Sequence, residues 1–239
     1  MTVAVILAAG VGSRLRPITL DRPKCLVPLG DETILGRMVR LLAAAGVEDL
    51  VVSTGYAAEM VSNALRDVPM RVRLVHNPDY ATTQNAVSLR RALDAAPPGD
   101  VIKFDGDLVF PAALLDRALA GQGSRVMVDD RAAPRDEAMK VMCEGDLAVR
   151  FGKGLDAARC RGESIGVERF TAVDRAIVAE VLRAADEAGE RDRYYEDLYD
   201  RAIARGVSLR CASVADLPWT EVDDHEDLAR ARALIAAGL

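Results

Sequence analysis

Residues Thr2–Ala8, TVAVILA, form a short and nearly continuous apolar run that ends in a glycine-bearing loop at Gly10. A strand apolar on both faces must be covered on both faces, the condition met in parallel sheets flanked by helices. The same alternation continues down the chain. The spacing predicts a helix over Thr33–Ala45 stopped by Gly46, a buried strand at Leu50–Ser53, and a helix at Ala57–Arg66. A strand at Val72–Val75 follows, then a helix from Gln84 to Ala95 ended by Pro97-Pro98-Gly99, and a strand at Val101–Phe104. Strand-helix-strand order of this kind implies an α/β fold with a mostly parallel central sheet and helices on both faces. In such sheets ligands sit beyond the carboxyl ends of the strands.

The second half is less regular. Segments 124–129, 138–143 and 164–170 read as strands, some of them antiparallel additions. Helices are expected near 172–189 and 195–205, a strand at 207–213, and a last helix from Glu226 onward. No repeat, low-complexity tract or long linker divides the chain, so one domain over 1–239 is expected.

Only 4% of the residues are aromatic, so Ala, Val and Leu have to fill the core. A net charge of −6 argues against a nucleic-acid partner or an anionic membrane surface. No apolar run is long enough to span a bilayer, and the N-terminus carries no basic stretch ahead of its apolar run. Cys25, Cys143, Cys160 and Cys211 are scattered without CxxC spacing, a poor pattern for disulfide frameworks or zinc. These features point to a cytoplasmic enzyme. His76 and His225 stand alone and read as structural, and Cys25 reads as a small packed residue.

The chemistry starts directly after the first strand, in Leu7-Ala8-Ala9-Gly10-Val11-Gly12-Ser13-Arg14-Leu15, which continues to Arg22-Pro23-Lys24. Small residues there let backbone N–H groups approach an anion closely. Arg14 and Lys24 add fixed positive charge suited to a polyphosphate. A dinucleotide fingerprint would need glycine where Leu15 stands, and no P-loop spacing is present.

The stretch LAAGVGSRLRP…RPKCLVPLG resembles the N-terminal signature of sugar-phosphate-type nucleotidyltransferases, which include glucose-1-phosphate thymidylyltransferases and, nearer to this chain, the phosphocholine, inositol-1-phosphate and 2-aminoethylphosphonate cytidylyltransferases. The resemblance covers nearly the whole chain. It is most specific over 5–29, good at 104–107 and 219–228, and weak between 125 and 215. It implies a Rossmann-like, GT-A-like fold, with 1–122 as the nucleotide-binding half and 123–239 as the half that binds the acceptor and supplies the second metal ligand. It also implies that Leu7, Ala8, Ala9, Gly10, Gly12, Ser13, Arg14 and Lys24 surround a nucleoside triphosphate.

Two further segments supply carboxylates. Val101–Asp107 ends in Asp105-Gly106-Asp107, where a carboxylate can hold Mg²⁺ against phosphate oxygens. The resemblance assigns the metal to Asp107, while Asp105 either assists or only shapes the turn. The segment Thr220–Leu228 resembles the family's late motif and implies Asp223 as second ligand, with Asp224 available as a helix cap.

Asn85 and Ser88, opening a helix, resemble the cytidylyltransferase pattern and carry donors and acceptors suited to a pyrimidine edge. That favours CTP. Lys140, in an EAxK-like segment, is the expected cation on the acceptor side. Glu163, Tyr195, Glu196, Asp197 and Trp219 are the expected acceptor contacts. Aromatic and acidic groups together suit an ammonium, while the same acids would also bind the hydroxyls of an inositol or sugar.

The resulting expectation is a Mg²⁺-dependent transfer from CTP to a small phosphorylated or phosphonylated acceptor, with pyrophosphate released. Its runner-up is a sugar-1-phosphate uridylyl- or thymidylyltransferase. A non-catalytic regulatory subunit should have lost a site charge, whereas Arg14, Lys24, Asp107 and Asp223 are all present. A homodimer is compatible with the sequence.

Overall fold

The computed structural model describes residues 1–239. Its centre is β1 (Thr2–Ala8), whose residues Val3, Ala4, Val5 and Ile6 are wholly buried. Successive side chains on a strand point to opposite faces. Ala4, Ile6 and Ala8 accordingly join one core layer, and Val3 and Val5 the other. Both faces of β1 are therefore covered, as its apolar run requires.

After β1 the chain builds α1 (Ile34–Ala44), β2 (Asp49–Thr54), α2 (Ala58–Ala64), β3 (Arg71–His76), α3 (Asn85–Ala95) and β4 (Asp100–Asp105). The helix α1 begins where the Thr33 hydroxyl accepts the Gly36 N–H, and its apolar stripe Ile34, Leu35, Met38 and Leu42 faces the sheet. It ends ahead of Gly46, whose φ of 77° suits a residue without a side chain. The four strands lie in the order β3-β2-β1-β4, all parallel.

The remaining elements are β5 (Leu108–Val109), α4 (Ala112–Leu119), β6 (Ser124–Asp129), β7 (Lys140–Glu144), β8 (Leu147–Gly152), β9 (Gly162–Phe170), α5 (Ala172–Glu187), α6 (Tyr195–Ile203), β10 (Leu209–Ser213), β11 (Thr220–Glu221) and α7 (His225–Ala236). The long β9 runs antiparallel to both β4 and β6 and joins the two halves into one nine-stranded sheet. Helices α3, α5 and α6 cover one face, through Leu89, Val181 and Tyr199. Helices α1, α4 and α7 cover the other, through Leu35, Leu114 and Leu228. The α/β class and the Rossmann-like arrangement agree with the sequence reading. No helix is long and apolar enough to cross a membrane.

Two elements had no clear signal. The helix α4 is only eight residues long, and β8 is a short strand whose partner β7 lies across the Gly145 turn. Tertiary packing rather than local pattern creates both. The strand expected at 138–143 starts only at Lys140, because the Ala138 N–H closes a turn onto the Arg135 carbonyl.

The pairing that matters for the site is the smallest. β11 lies antiparallel to β5, with Thr220 opposite Val109 and Glu221 opposite Leu108. The Val222 N–H then donates to the Asp107 carbonyl at 3.0 Å. This ribbon brings the late acidic segment beside the end of β4.

Candidate active site

Beyond the carboxyl ends of β1 and β4 lies a cavity of about 390 Å³. Leu7, Ala8, Ala9, Gly10, Gly12, Ser13, Arg14, Lys24, Asn85, Ser88, Asp107 and Asp223 all line it. Every residue assigned from sequence to the nucleotide or the metal is thus on one wall system. The loop shape is set by Gly12, whose φ is +68° and whose missing Cβ would stand 2.9 Å from the Lys24 Cβ. The Thr19 hydroxyl donates to the Gly12 carbonyl at 2.7 Å and fixes the same bend. Glycine here both permits the left-handed backbone and lets Lys24 pass close by.

At the cavity floor the Lys24 ammonium donates to Asp107 Oδ2 and to Asp223 Oδ1, each at 2.5 Å. Arg14 pairs with Asp223 Oδ2 at 2.8 Å. Burial opposes the Lys24 charge, but the two carboxylates outweigh it and hold Lys24 well above its ordinary pKa. Burial likewise opposes the charge on Asp223, and Lys24 and Arg14 reverse that and lower its pKa. Asp224 does not reach the floor. It caps α7, its Oδ1 accepting the N–H groups of Glu226 and Asp227.

A third carboxylate, Glu221, completes the floor. Ligand oxygens of Asp107, Glu221 and Asp223 lie within 4.8 Å of one another. Repulsion from Asp107, followed by burial, pushes Glu221 well above the usual carboxylate range. Asp107 Oδ1 is buried with no hydrogen-bond partner. Three carboxylates with an orphaned buried oxygen are a donor set of the hard-oxygen kind that suits a divalent cation such as Mg²⁺. Sequence reasoning passed over Glu221, although the signal was present: in Thr220-Glu221-Val222-Asp223 two acids two residues apart on an extended segment share one face. Tyr80, Thr83 and Gln84 also line the cavity and were not anticipated.

A second cavity of about 810 Å³ adjoins the first and shares Arg14, Asn85, Asp105, Glu221 and Asp223 with it. Glu163, Glu196 and Trp219 line it, as the sequence suggested. Burial raises the Glu163 carboxyl, and a more complete burial pushes Glu196 up to about 8. The Trp219 Nε1–H donates to Asp129 Oδ2 at 2.8 Å, which fixes the indole in the wall.

Three expected acceptor residues are elsewhere. Lys140 is only 2% exposed, and its ammonium donates to the backbone carbonyls of Asp136 at 2.8 Å and Lys153 at 2.5 Å. It ties together two segments of the cavity rim and has no free face for an anion. Lys153 and Arg135 line the cavity in its place, with the Lys153 ammonium 4.6 Å from the centre of the Tyr194 ring. Tyr195 is wholly buried beneath the floor, where its hydroxyl donates to Asp105 Oδ2. Asp197 is used at the start of α6, its Oδ2 accepting the Tyr194 N–H at 3.3 Å. In each case the sequence placed the residue in the right segment but on the wrong face, because orientation there depends on packing.

Residues 4–200 match the model of the MobA-like NTP transferase domain. The chain belongs to that family. It is 42% identical over 250 residues to the CTP:phosphoglutamine cytidylyltransferase of Campylobacter jejuni, an alignment covering 94% of this chain and 97% of that protein. It is 30% identical over 236 residues to the CMP-5'-(3-aminopropyl)phosphonate synthase of Streptomyces rubellomurinus, covering 94% of this chain and 37% of the other. Of three of its relatives the chain spans only 37% or 50% of the length. The fold superimposes on the inositol-1-phosphate CTP transferase from T. maritima with a TM-score of 0.80, at 23% identity, covering 99% of this chain and 96% of that one. Membership in this family makes the chain a nucleotidyltransferase by class, in agreement with the sequence reading.

Proposed function

We propose that this chain transfers a cytidylyl group from CTP to a phosphate or phosphonate oxygen of a small acceptor and releases pyrophosphate. The observation that carries the reading is the carboxylate floor of Asp107, Glu221 and Asp223, set between a glycine–arginine–lysine cradle and a second, acid-lined cavity. The names of the relatives above, which include transfer from CTP to phosphorylated or phosphonate compounds, support the same chemistry. The chain acts as one catalytic domain, with 1–122 supplying most of the nucleotide cavity and 123–239 most of the acceptor cavity and the second metal ligand.

The acceptor oxygen is already ionised at neutral pH, so the attack on the α-phosphorus needs no strong general base. The barrier comes from bringing two anions together, and the site lowers it by positioning and charge neutralisation. Leu7, Ala8, Ala9, Gly10, Gly12 and Ser13 line the cavity, and their small side chains leave room for backbone N–H groups to meet the triphosphate. Arg14 and Lys24 stand at the floor, where they neutralise phosphate charge and charge on the departing pyrophosphate. Asp107, Asp223 and Glu221 would hold Mg²⁺, which when bound would supply Lewis-acid stabilisation of the phosphate oxygens. Arg135 and Lys153 replace Lys140 as the cations facing the acceptor, while Glu163, Glu196 and Trp219 contact its remote end.

The choice of CTP rests on hydrogen-bond polarity. The Asn85 carbonyl oxygen already accepts the Tyr195 N–H at 3.0 Å, leaving its NH₂ to donate. The Ser88 hydroxyl accepts from Asn77 Nδ2 at 3.1 Å, leaving its own proton to donate. Two donors match the adjacent O2 and N3 acceptors of cytosine, whereas uracil and thymine place an N–H at N3. Asn85→Asp removes the NH₂ and leaves two competing acceptors. We expect its KM for CTP to rise about tenfold. Steady-state kinetics with each of the four nucleotides checks this, and an unchanged preference for CTP would remove the base reading.

A further inference from the structure

Tyr195 has no surface in either cavity, yet its polar groups reach the frameworks of both. Its phenol donates to Asp105 Oδ2 at 2.7 Å, and its backbone N–H donates to Asn85 Oδ1 at 3.0 Å. Its ring covers the ammonium of Lys103, which lies 3.5 Å from the ring centre. Lys103 is wholly buried and pairs with Asp105 Oδ1 at 2.9 Å and with Glu168 Oε2 at 3.1 Å. Both oxygens of Asp105 are therefore held by protein, and the alternatives left open for that residue narrow to shaping the turn.

The packing around Asp105 is equally exact in its demands. Gly166 has a φ of +73°, and a Cβ there would stand 2.3 Å from Asp105 Oδ2. The Gly106 N–H donates to the Leu7 carbonyl at 3.0 Å, and a Cβ on Gly106 would lie 2.4 Å from that oxygen. Asp105 thus begins a turn, clamped on both sides, whose other end is Asp107. Buried ion pairs add little net stability, since desolvation offsets their attraction. What such a cluster supplies here is a fixed position for the residue that follows it.

We propose that Tyr195 is a positioning residue that sets two parts of the site at once: its hydroxyl fixes the Asp105–Asp107 turn behind the metal carboxylate, and its N–H orients the Asn85 amide toward the base. The inference rests on reading Asp107 as a metal ligand. Groups behind a metal ligand orient it, and their loss typically weakens metal affinity and turnover together.

Tyr195→Phe tests it, because it keeps the ring over Lys103 and the N–H to Asn85 and removes only the hydroxyl. On the full chain, Mn²⁺ affinity is read by electron paramagnetic resonance without nucleotide, and kinetic constants by pyrophosphate release. The expected result is a loss of about tenfold in both Mn²⁺ affinity and kcat. The KM values for CTP and acceptor should stay within about twofold, because the contacts to both are intact. A variant that melts at a lower temperature while keeping wild-type Mn²⁺ affinity and kcat has lost only stability, and that result overturns the inference. If Tyr195→Phe does not fold, Asp105→Asn is compared in the same way, with the same loss of Mn²⁺ affinity expected and wild-type affinity overturning it. If the wild-type chain releases no pyrophosphate but binds Mn²⁺ about tenfold more tightly than Tyr195→Phe, the cytidylyltransferase reading fails and the positioning role stands.

Discussion

The two cavities share a wall but differ in how they are encoded. In the nucleotide cavity the glycine loop, Arg14 and Lys24 follow β1 closely, while Asn85, Ser88 and the carboxylates Asp107, Glu221 and Asp223 join them from α3, the end of β4 and the β11 segment. Gly12 bends the loop, and Lys24 passes beside it to the floor. In the acceptor cavity the wall is assembled from β9, α6, the segment before β7 and the segment before β11, each of which turns one face inward for reasons of packing. A site written into a loop tolerates little change in that loop. A site assembled from distant elements depends on what holds them.

The largest effect is expected from removing a carboxylate of the floor, near which the two cavities meet. Asp107→Ala should lower kcat for pyrophosphate release by about 10³-fold or more, the loss expected when several kcal/mol of charge stabilisation disappears. Full activity in that variant would place the metal elsewhere.

A smaller effect is expected from the loop itself. Gly12→Ala forces a side chain into a left-handed backbone and against Lys24. A displacement of that kind should lower kcat/KM for CTP by about 10²-fold, with a far smaller change in acceptor KM. Equal losses toward both substrates would erase the distinction between the two regions.

The acceptor side is separated by a pair of variants measured together. Glu163→Gln should raise acceptor KM about tenfold and leave CTP KM unchanged, the size of one lost contact to a charged group. Lys140→Met should instead lower the melting temperature, because two rim carbonyls lose their shared donor. Any rise in its acceptor KM should be the smaller of the two. A larger KM effect from Lys140→Met would return that lysine to the acceptor.

The smallest effect concerns pH. Burial raises Glu168 to about 7 and Glu196 to about 8, both above their unfolded range. A carboxyl whose folded pKa is raised stabilises the fold most at low pH and loses that contribution as pH rises through the folded pKa. Stability should therefore decline between the ordinary glutamate range near 4.5 and about 8. Glu196→Gln should flatten the upper part of that decline and melt higher than wild type at pH 8, with ~2–4 °C expected for each kcal/mol. Thermal melts across this window check the sign.

The same contrast explains what could be read before the structure. The apolar run of β1, the Gly12 bend and the pair Arg14 and Lys24 are local patterns with few alternative foldings, and all of them stand where the sequence suggested. Asp223 was singled out by the resemblance of its segment, and it faces Arg14 and Lys24 while Asp224 caps α7. Glu221 was legible beside Asp223 as a second acid on the same face of an extended segment, but its place next to Asp107 depends on the ribbon between β5 and β11, a pairing across more than a hundred residues. Tyr195 and Glu196 are neighbours at the start of α6, yet one supports Asp105 from below and the other opens onto the acceptor cavity. Helical rotation separates them, and only packing fixes that rotation. Lys140 opens β7 directly after a turn, and its ammonium is taken up by the carbonyls of Asp136 and Lys153, contacts that depend on tertiary packing rather than on the local pattern.

The central claim is CTP-dependent transfer to a small phosphorylated or phosphonylated acceptor, and pyrophosphate release tests it most directly. Each of the four nucleoside triphosphates is to be assayed with Mg²⁺ against phosphocholine, 2-aminoethylphosphonate, inositol-1-phosphate and glucose-1-phosphate. The account predicts release with CTP above the other nucleotides, dependent on one of the first three acceptors and abolished in Asp107→Ala. Preferential release with UTP and glucose-1-phosphate would contradict it.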